Sequence, residues 1–312
     1  MDRRNFLKAI ALTGALLSIK KSGAITLISQ KFSGETIKES YDLVAVMGGD
    51  PVSMFRKAIA EMGGMGKFIK KGQKVVVKPN IGWDKTPELA ANTNPELVSE
   101  IVRQCYKAGA KEVIVFDHTC DNWQKAYTNS GIEEAVKKTG GKMLPAHESS
   151  YYSEVSIPNG VMLKKTMVHQ AILDSDVWIN VPVLKNHGGA KMSIAMKNYM
   201  GIVWDRKFFH KNDLQQCIAD VCSIEKKAVL HVVDAFRLMK ENGPRGKSEA
   251  DVVLSKGLFI SQDIVAADTA ATSFFNQVRE MPLESVSHIG KGEKQNLGTT
   301  NLGSLNIKRI KL

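Results

Sequence analysis

Cysteine is scarce, with four in 312 residues at Cys105, Cys120, Cys217 and Cys222. They form neither a Cys-x-x-Cys pair nor ferredoxin spacing, which argues against a cysteine-ligated iron–sulfur cluster. Cys105, Cys217 and Cys222 fall inside helical patterns and read as small buried hydrophobes. Long apolar runs are missing as well. Nothing approaches the roughly 18 to 20 consecutive apolar residues of a membrane-crossing helix, so a soluble mature protein with no permanent transmembrane span is expected. There is no low-complexity linker and no short-period repeat, and 43% hydrophobic content in a chain this long suits one large core better than two independent domains. Acidic residues number 32 against 43 basic, a net charge of +11. Such a balance points to nucleic acid, an anionic surface or an anionic ligand. The basic side chains are scattered, however, and no basic run is interleaved with aromatics in the way that stacks bases. A locally basic cleft is therefore expected, and a nucleic-acid partner is not.

What is present begins with a leader. Met1-Asp2-Arg3-Arg4-Asn5-Phe6-Leu7-Lys8 precedes a short apolar stretch at residues 9–19 and then Lys20-Lys21-Ser22-Gly23-Ala24. A charged head, brief apolar middle and small residues at the end make a signal peptide of residues 1–24. The arginine pair followed by Phe-Leu-Lys resembles the twin-arginine export signal, an address read by the export machinery. The expected location is periplasmic or otherwise exported, with membrane tethering if the leader stays uncut. That route is known for carrying folded proteins, often around a cofactor, and the resemblance implies one without naming it. Without the leader the chain is still basic, at +7.

Residues 25–312 read as one α/β domain. Apolar residues 43–47 end in Gly48-Gly49-Asp50, and Pro51 opens a helical pattern. Residues 74–78 (Lys-Val-Val-Val-Lys) are a β-branched run, residues 95–108 carry a helical apolar face, and residues 112–116 are the next strand. Further strands fall at residues 142–144, 176–183, 228–233 and 258–261, with helices at 132–139, 212–224 and 264–275. Apolar strands alternating with helices predict a doubly wound, mostly parallel sheet. Residues 151–167, with Pro158-Asn159-Gly160 in the middle, predict an inserted β-hairpin, and residues 305–310 a final edge strand.

Ligands of open parallel sheets sit beyond the carboxyl ends of the strands. The strand ends here are Gly48-Gly49-Asp50, Lys78-Pro79-Asn80, Asp117-His118-Thr119-Cys120, Leu184-Lys185-Asn186-His187 and Asp234. Each also has a structural reading: Asp50 as a helix cap, Lys78 as a turn lysine, Asp117 and Asp234 as loop caps. Asp117, His118 and Cys120 are three metal-capable side chains within four positions, and a metal there needs a distant ligand such as His187; the alternative is a hydrogen-bonded loop. The densest stretch runs from Leu184 to Gly201. It reads as a strand, a Gly188-Gly189 turn and then helical character, with Lys191, Lys197 and Asn198 following. Amides at a turn and helix start favour an anion, which lysines neutralise. The Walker spacing is absent.

These residues carry a resemblance. Val75-Val76-Val77-Lys78-Pro79-Asn80, Asn94-Pro95-Glu96, the strand ending at Asp117, Lys185-Asn186-His187, Met192-Ser193 and Lys197-Asn198-Tyr199-Met200-Gly201 resemble the bacterial and archaeal family called domain of unknown function 362, over about residues 43–275. The resemblance implies a fold and little chemistry. Some relatives carry a ferredoxin-like cluster module, whose cysteine spacing this chain lacks. The order His187, Gly188-Gly189, Lys191 is also similar to the nickel-pincer lactate racemases. Three readings follow. In the first, an acid/base enzyme uses Lys78, Lys185 and Lys191, with Asn80, Asp117, Lys197 and Asn198, to hold a carboxylate or phosphate, while His187 or His118 moves a proton. In the second, the same cleft serves a non-catalytic periplasmic ligand-binding or cofactor-handling protein. The third is a metal or iron–sulfur redox protein.

Overall fold

Runs of β-branched residues without polar alternation become strands buried on both faces. The computed structural model describes residues 41–312, and the leader at residues 1–24 lies outside the described residues. The strands are β1 (Leu43–Met47), β2 (Lys74–Pro79), β3 (Glu112–Val115), β4 (Lys142–Met143), β5 (Tyr152–Ser156), β6 (Lys165–His169), β7 (Val177–Val181), β8 (Val183–His187), β9 (Lys191–Ser193), β10 (Leu230–Met239), β11 (Val252–Ser261) and β12 (Ile307–Lys311). The helices are α1 (Pro51–Glu61), α2 (Pro95–Lys107), α3 (Trp123–Asn129), α4 (Ile132–Lys137), α5 (Gln170–Leu173), α6 (Ala195–Asn198), α7 (Lys207–Lys211), α8 (Leu214–Val221), α9 (Ile264–Phe275) and α10 (Ser287–Lys294).

Ten strands form one mixed, mostly parallel sheet in the order β12-β1-β11-β10-β7-β2-β3-β4, with β8 paired to β10 and β9 folded back on β8. Both faces are covered, as a doubly wound sheet requires. Val75 and Val77 of β2 enter a core with Phe55 of α1 and Leu97 and Ile101 of α2. Val76, between them, enters the opposite core with Met196 of α6, Ile218 of α8, Val265 of α9 and Ile289 of α10. The expected hairpin is there too: β5 and β6 pair antiparallel as a separate two-stranded sheet. Asp220 of α8 fixes its turn by accepting from the N–H groups of Val161, Met162 and Leu163.

One expectation is corrected. Residues 258–275 do not repeat the parallel unit, because β11 runs antiparallel to both β10 and β1. The link between β10 and β11 holds only a single 3-10 turn, Glu249–Asp251, and lacks the helix that usually carries a parallel return. The expected edge strand forms as β12, parallel to β1.

Gly48-Gly49-Asp50 serves local structure. Asp50 caps α1 by accepting from Val52 and Ser53 N–H, and β1 is separated from β2 by β11, β10 and β7. Asp234 likewise accepts from Asn94 N–H (2.7 Å) and Phe236 N–H (3.0 Å) and fastens the start of α2. Among the described residues no helix is long and apolar enough to cross a membrane.

Candidate functional site

Strands β2 and β3 lie side by side in parallel, and their carboxyl ends deliver Lys78 and Asp117 to one place. Lys78 is fully buried. Its Nζ lies 2.8 Å from Asp117 Oδ1 and donates to Asn198 O (2.8 Å) and Asn198 Oδ1 (2.7 Å). Two hydrogen bonds and one ion pair therefore surround the ammonium. Burial pushes the Lys78 pKa down and the Asp117 carboxylate works against that shift. Asp117 Oδ2 accepts from Ile81 N–H at 2.6 Å. Lys78 therefore braces the floor of the site from beneath and is not part of the cleft wall. Gly201 closes this floor: a Cβ there would lie within 3.0 Å of Asp117 Oδ1, Lys78 Nζ and Lys78 Cε.

An amide network spreads the floor sideways. Asn80 Nδ2 donates to Asn198 Oδ1 (3.2 Å), and Asn198 Nδ2 donates to Asn180 Oδ1 (2.8 Å). Asn180 Nδ2 donates to Ala195 O (2.9 Å) and lies 3.1 Å from His231 Nδ1. At the other end Asn80 Oδ1 accepts from Lys185 Nζ at 3.0 Å, and Lys185 Nζ also donates to Ala91 O at 2.5 Å. Lys185 is 1% exposed. Burial brings its pKa down to about 7, helped by Lys197 and Lys78 and opposed by Cys120 and Asp117.

Above the floor lies a cleft of about 650 Å³. Its walls hold Asn80, Asp117, His118, Cys120, Lys185, His187, Lys197 and Asn198, all expected from the sequence, together with Trp83, Trp204, Arg206 and His210. Lys197 is half-buried, and burial lowers its pKa to about 8. Arg206 donates to His118 O (2.8 Å), Thr119 O (2.7 Å) and Cys120 Sγ (3.4 Å). Among the described residues none of Lys185, Lys197 and Arg206 is ion-paired with a carboxylate.

The two histidines hold opposite tautomers. His118 Nδ1 lies 2.8 Å from Val203 O, a partner that only accepts, so Nδ1 carries the proton and Nε2 keeps its lone pair. Its ring stacks on Trp204 at 5.1 Å between centroids. Burial and then Arg206 hold its pKa at about 4. His187 Nδ1 instead accepts from Ala190 N–H at 3.0 Å, which places its proton on Nε2. Burial, Lys197 and Lys185 hold it at about 2, so the ring stays neutral.

Two expectations fail here. Lys191 is exposed and stands outside the cleft wall. Residues 187–191 turn between β8 and β9, with Lys191 at φ +66°, so no helix starts there. The helix that follows, α6, has its first amides occupied: Ala195 and Met196 N–H donate to buried Asp268 at 2.7 and 3.0 Å. The second failure is the metal set Asp117, His118, Cys120 and His187. Among the described residues no three His, Cys, Asp or Glu side chains are grouped to hold an ion. Asp117 is engaged by Lys78 and Ile81, and Cys120 by Arg206.

Sequence reasoning missed Arg206, Trp204, Trp83 and His210, which lie outside the strand ends. It also missed Asn180, although a lone amide inside the apolar run Trp178-Ile179-Asn180-Val181 is a readable sign of a buried polar contact.

Three comparisons bear on identity. Residues 75–273 match the family described as domain of unknown function (DUF362). A thylakoid-associated protein of Synechocystis sp. is 25% identical over 231 residues, covering 72% of this chain and 70% of its own. The lactate racemase apoprotein from Thermoanaerobacterium thermosaccharolyticum aligns over 76% of this chain with a TM-score of 0.48 and 12% identity, and the aligned part spans 57% of that protein. The matched stretch runs from β2 through the whole cleft wall to α9, and the chain belongs to the DUF362 family.

Proposed function

We propose that the cleft binds a small anionic ligand through a carboxylate or phosphate and performs acid/base chemistry on it. The observation that carries this reading is the unpaired charge of the wall. Lys185, Lys197 and Arg206 have no carboxylate partner among the described residues, while Asp117 is already engaged by Lys78. Partly desolvated cations without counter-charges are costly unless a ligand anion completes them. Arg206 is held by three acceptors from one loop, so its charge is pre-positioned.

Proton transfer falls to two groups. His118 presents a free Nε2 lone pair as base, and Lys185, near neutrality, is the acid. His187, with its proton on Nε2, is suited to donate a hydrogen bond to the bound anion. The test is calorimetric titration with carboxylate and phosphate metabolites against their neutral amides and alcohols. Lys197→Met should weaken binding roughly ten- to hundredfold, the worth of a hydrogen bond to a charged group. Equal affinity for neutral analogues, or an unaffected variant, refutes it. His118→Gln separates the enzyme from a binding protein: it abolishes turnover and spares affinity only if the cleft is catalytic.

Residues 1–24 are the basis of a second proposal, export by the twin-arginine machinery to the periplasm or an equivalent compartment, with tethering if the leader is retained. Support comes from the ordered Arg3-Arg4, Phe6-Leu7-Lys8 and apolar stretch. Changing Arg3 and Arg4 together to Lys should leave the chain in the cytoplasm, and an unchanged distribution counts against export by this route.

A further inference from the structure

We infer that Lys185 is an amine nucleophile that condenses with the carbonyl carbon of a small oxo-acid held in the cleft. This rests on the anion-binding reading and adds a substrate class and a covalent step. The two buried lysines of the site differ in their partners. Lys78 Nζ donates to Asn198 O and Asn198 Oδ1 and is ion-paired with Asp117 Oδ1, a setting that holds an ammonium. Lys185 Nζ donates to Asn80 Oδ1 and Ala91 O and has no carboxylate beside it. A neutral amine has two N–H groups and one lone pair. In the neutral form both N–H groups are therefore placed, and the remaining tetrahedral position carries the lone pair.

Lys185 is also on the cleft wall, while Lys78 lies beneath it. No carboxylate among the described residues pairs with Lys185, and Lys197 and Lys78 add like charge nearby, which disfavours the ammonium. Lysines desolvated beside other cations are the activated kind. The same neighbours supply the recognition: Lys197 and Arg206 attract the carboxylate, and the carbonyl next to it is brought to the amine.

The step balances without a redox partner. The lone pair of Lys185 attacks the carbonyl carbon, a C–N bond forms, and the carbonyl π pair moves to oxygen. That oxygen leaves as water with both amine hydrogens, and an imine remains. Hydrolysis returns the free lysine.

The experiment uses the full chain, pyruvate as probe and sodium borohydride to trap any imine as a stable secondary amine, read by intact mass and peptide mapping. The expected result is one reduced pyruvyl group, mapped to Lys185. Lys185→Arg loses the site-specific label, and mapping of the unmodified sequence gives the same answer if that variant does not fold. A group titrating at about 7 makes the labelling rate rise about tenfold from pH 6 to pH 8, whereas an ordinary lysine gives about a hundredfold rise. Label absent, or spread over surface lysines, overturns the inference. Calorimetry with pyruvate keeps the two readings separate. Pyruvate that binds, weakened by Lys197→Met, without label leaves anion binding standing and removes the imine. Neither binding nor label removes both. Label at Lys185 that acetone produces equally well keeps the nucleophile and removes the carboxylate clamp.

Discussion

Replacing Lys78 by Met keeps an unbranched side chain of similar length and deletes one charge and three donors, so it isolates what the buried ion pair does. Asp117 Oδ1, 2.8 Å from Lys78 Nζ, loses its counter-charge inside the fold. Removing one member of a buried pair costs roughly 3 to 5 kcal/mol, because the survivor stays desolvated and unpaired. Asn198 O, which heads the 3-10 turn Tyr199–Ile202, keeps a backbone donor. Asn198 Oδ1 keeps Asn80 Nδ2 at 3.2 Å and adds little. A loss of roughly 3 to 5 kcal/mol follows, most of a stability at the low end of the usual roughly 5 to 15 kcal/mol. Urea unfolding followed by tryptophan fluorescence measures it, with an unchanged slope showing that the unfolded state is the same. Adding Asp117→Asn removes the stranded charge while the amide oxygen still accepts from Ile81 N–H. The double variant should therefore recover roughly 1 to 3 kcal/mol relative to the sum of the singles. A cost below about 1 kcal/mol for Lys78→Met, or strict additivity, would show that the pair does not brace the floor.

Gly201→Ala places a methyl among Asp117 Oδ1, Lys78 Nζ and Lys78 Cε, so a drop in Tm equivalent to roughly 1 to 3 kcal/mol is expected; an unshifted melting curve contradicts the close approach. Acid should unfold the protein early. Burial holds His118, His187, His231 and His288 at about 4, 2, 3 and 3 against 6.5 when unfolded. The unfolded chain thus binds more protons below pH 6.5, and each group withdraws roughly 1 kcal/mol per pH unit as pH falls. Asp234 and Asp268, raised by burial to about 6 and about 7, act in the opposite sense, yet four groups outweigh two. Equilibrium unfolding at pH 7 and pH 5 checks this, and equal stability at both contradicts the buried neutral histidines. Cys120 is the exposed thiol, whereas Cys105, Cys217 and Cys222 are buried. Brief iodoacetamide treatment of the native protein should modify Cys120 alone, more slowly once an anion fills the cleft; labelling elsewhere would mean the others are accessible.

Much of the site was legible because its chemistry sits where strands end. Val75-Val76-Val77 can only be a strand buried on both faces, so Lys78, Asn80 and Asp117 follow at the mouths of β2 and β3. The hairpin was legible from its turn residues. Direction was harder: β11 has the same apolar look as a parallel strand, and the sign that it is antiparallel is a link from β10 that holds no α-helix. Lys191 was misplaced because Gly188-Gly189 fits either a hairpin turn or a helix approach, and three residues of β9 are too few to show a period. Arg206 and Trp204 lie on an irregular segment between α6 and α7, whose position depends on tertiary contacts such as Arg206 with His118 O.

The partners that build the floor are far apart along the chain. Lys78 meets Asn198 across 120 residues, Lys185 meets Asn80 across 105, and Arg206 meets His118 across 88. Such contacts form only after most loop closures are complete. No N-terminal fragment ending before β8 contains both sides of the cleft, and a nascent chain acquires it late in synthesis. Any anion that occupies the cleft therefore recognises the finished fold and no earlier species, and its binding energy raises the weight of that state alone.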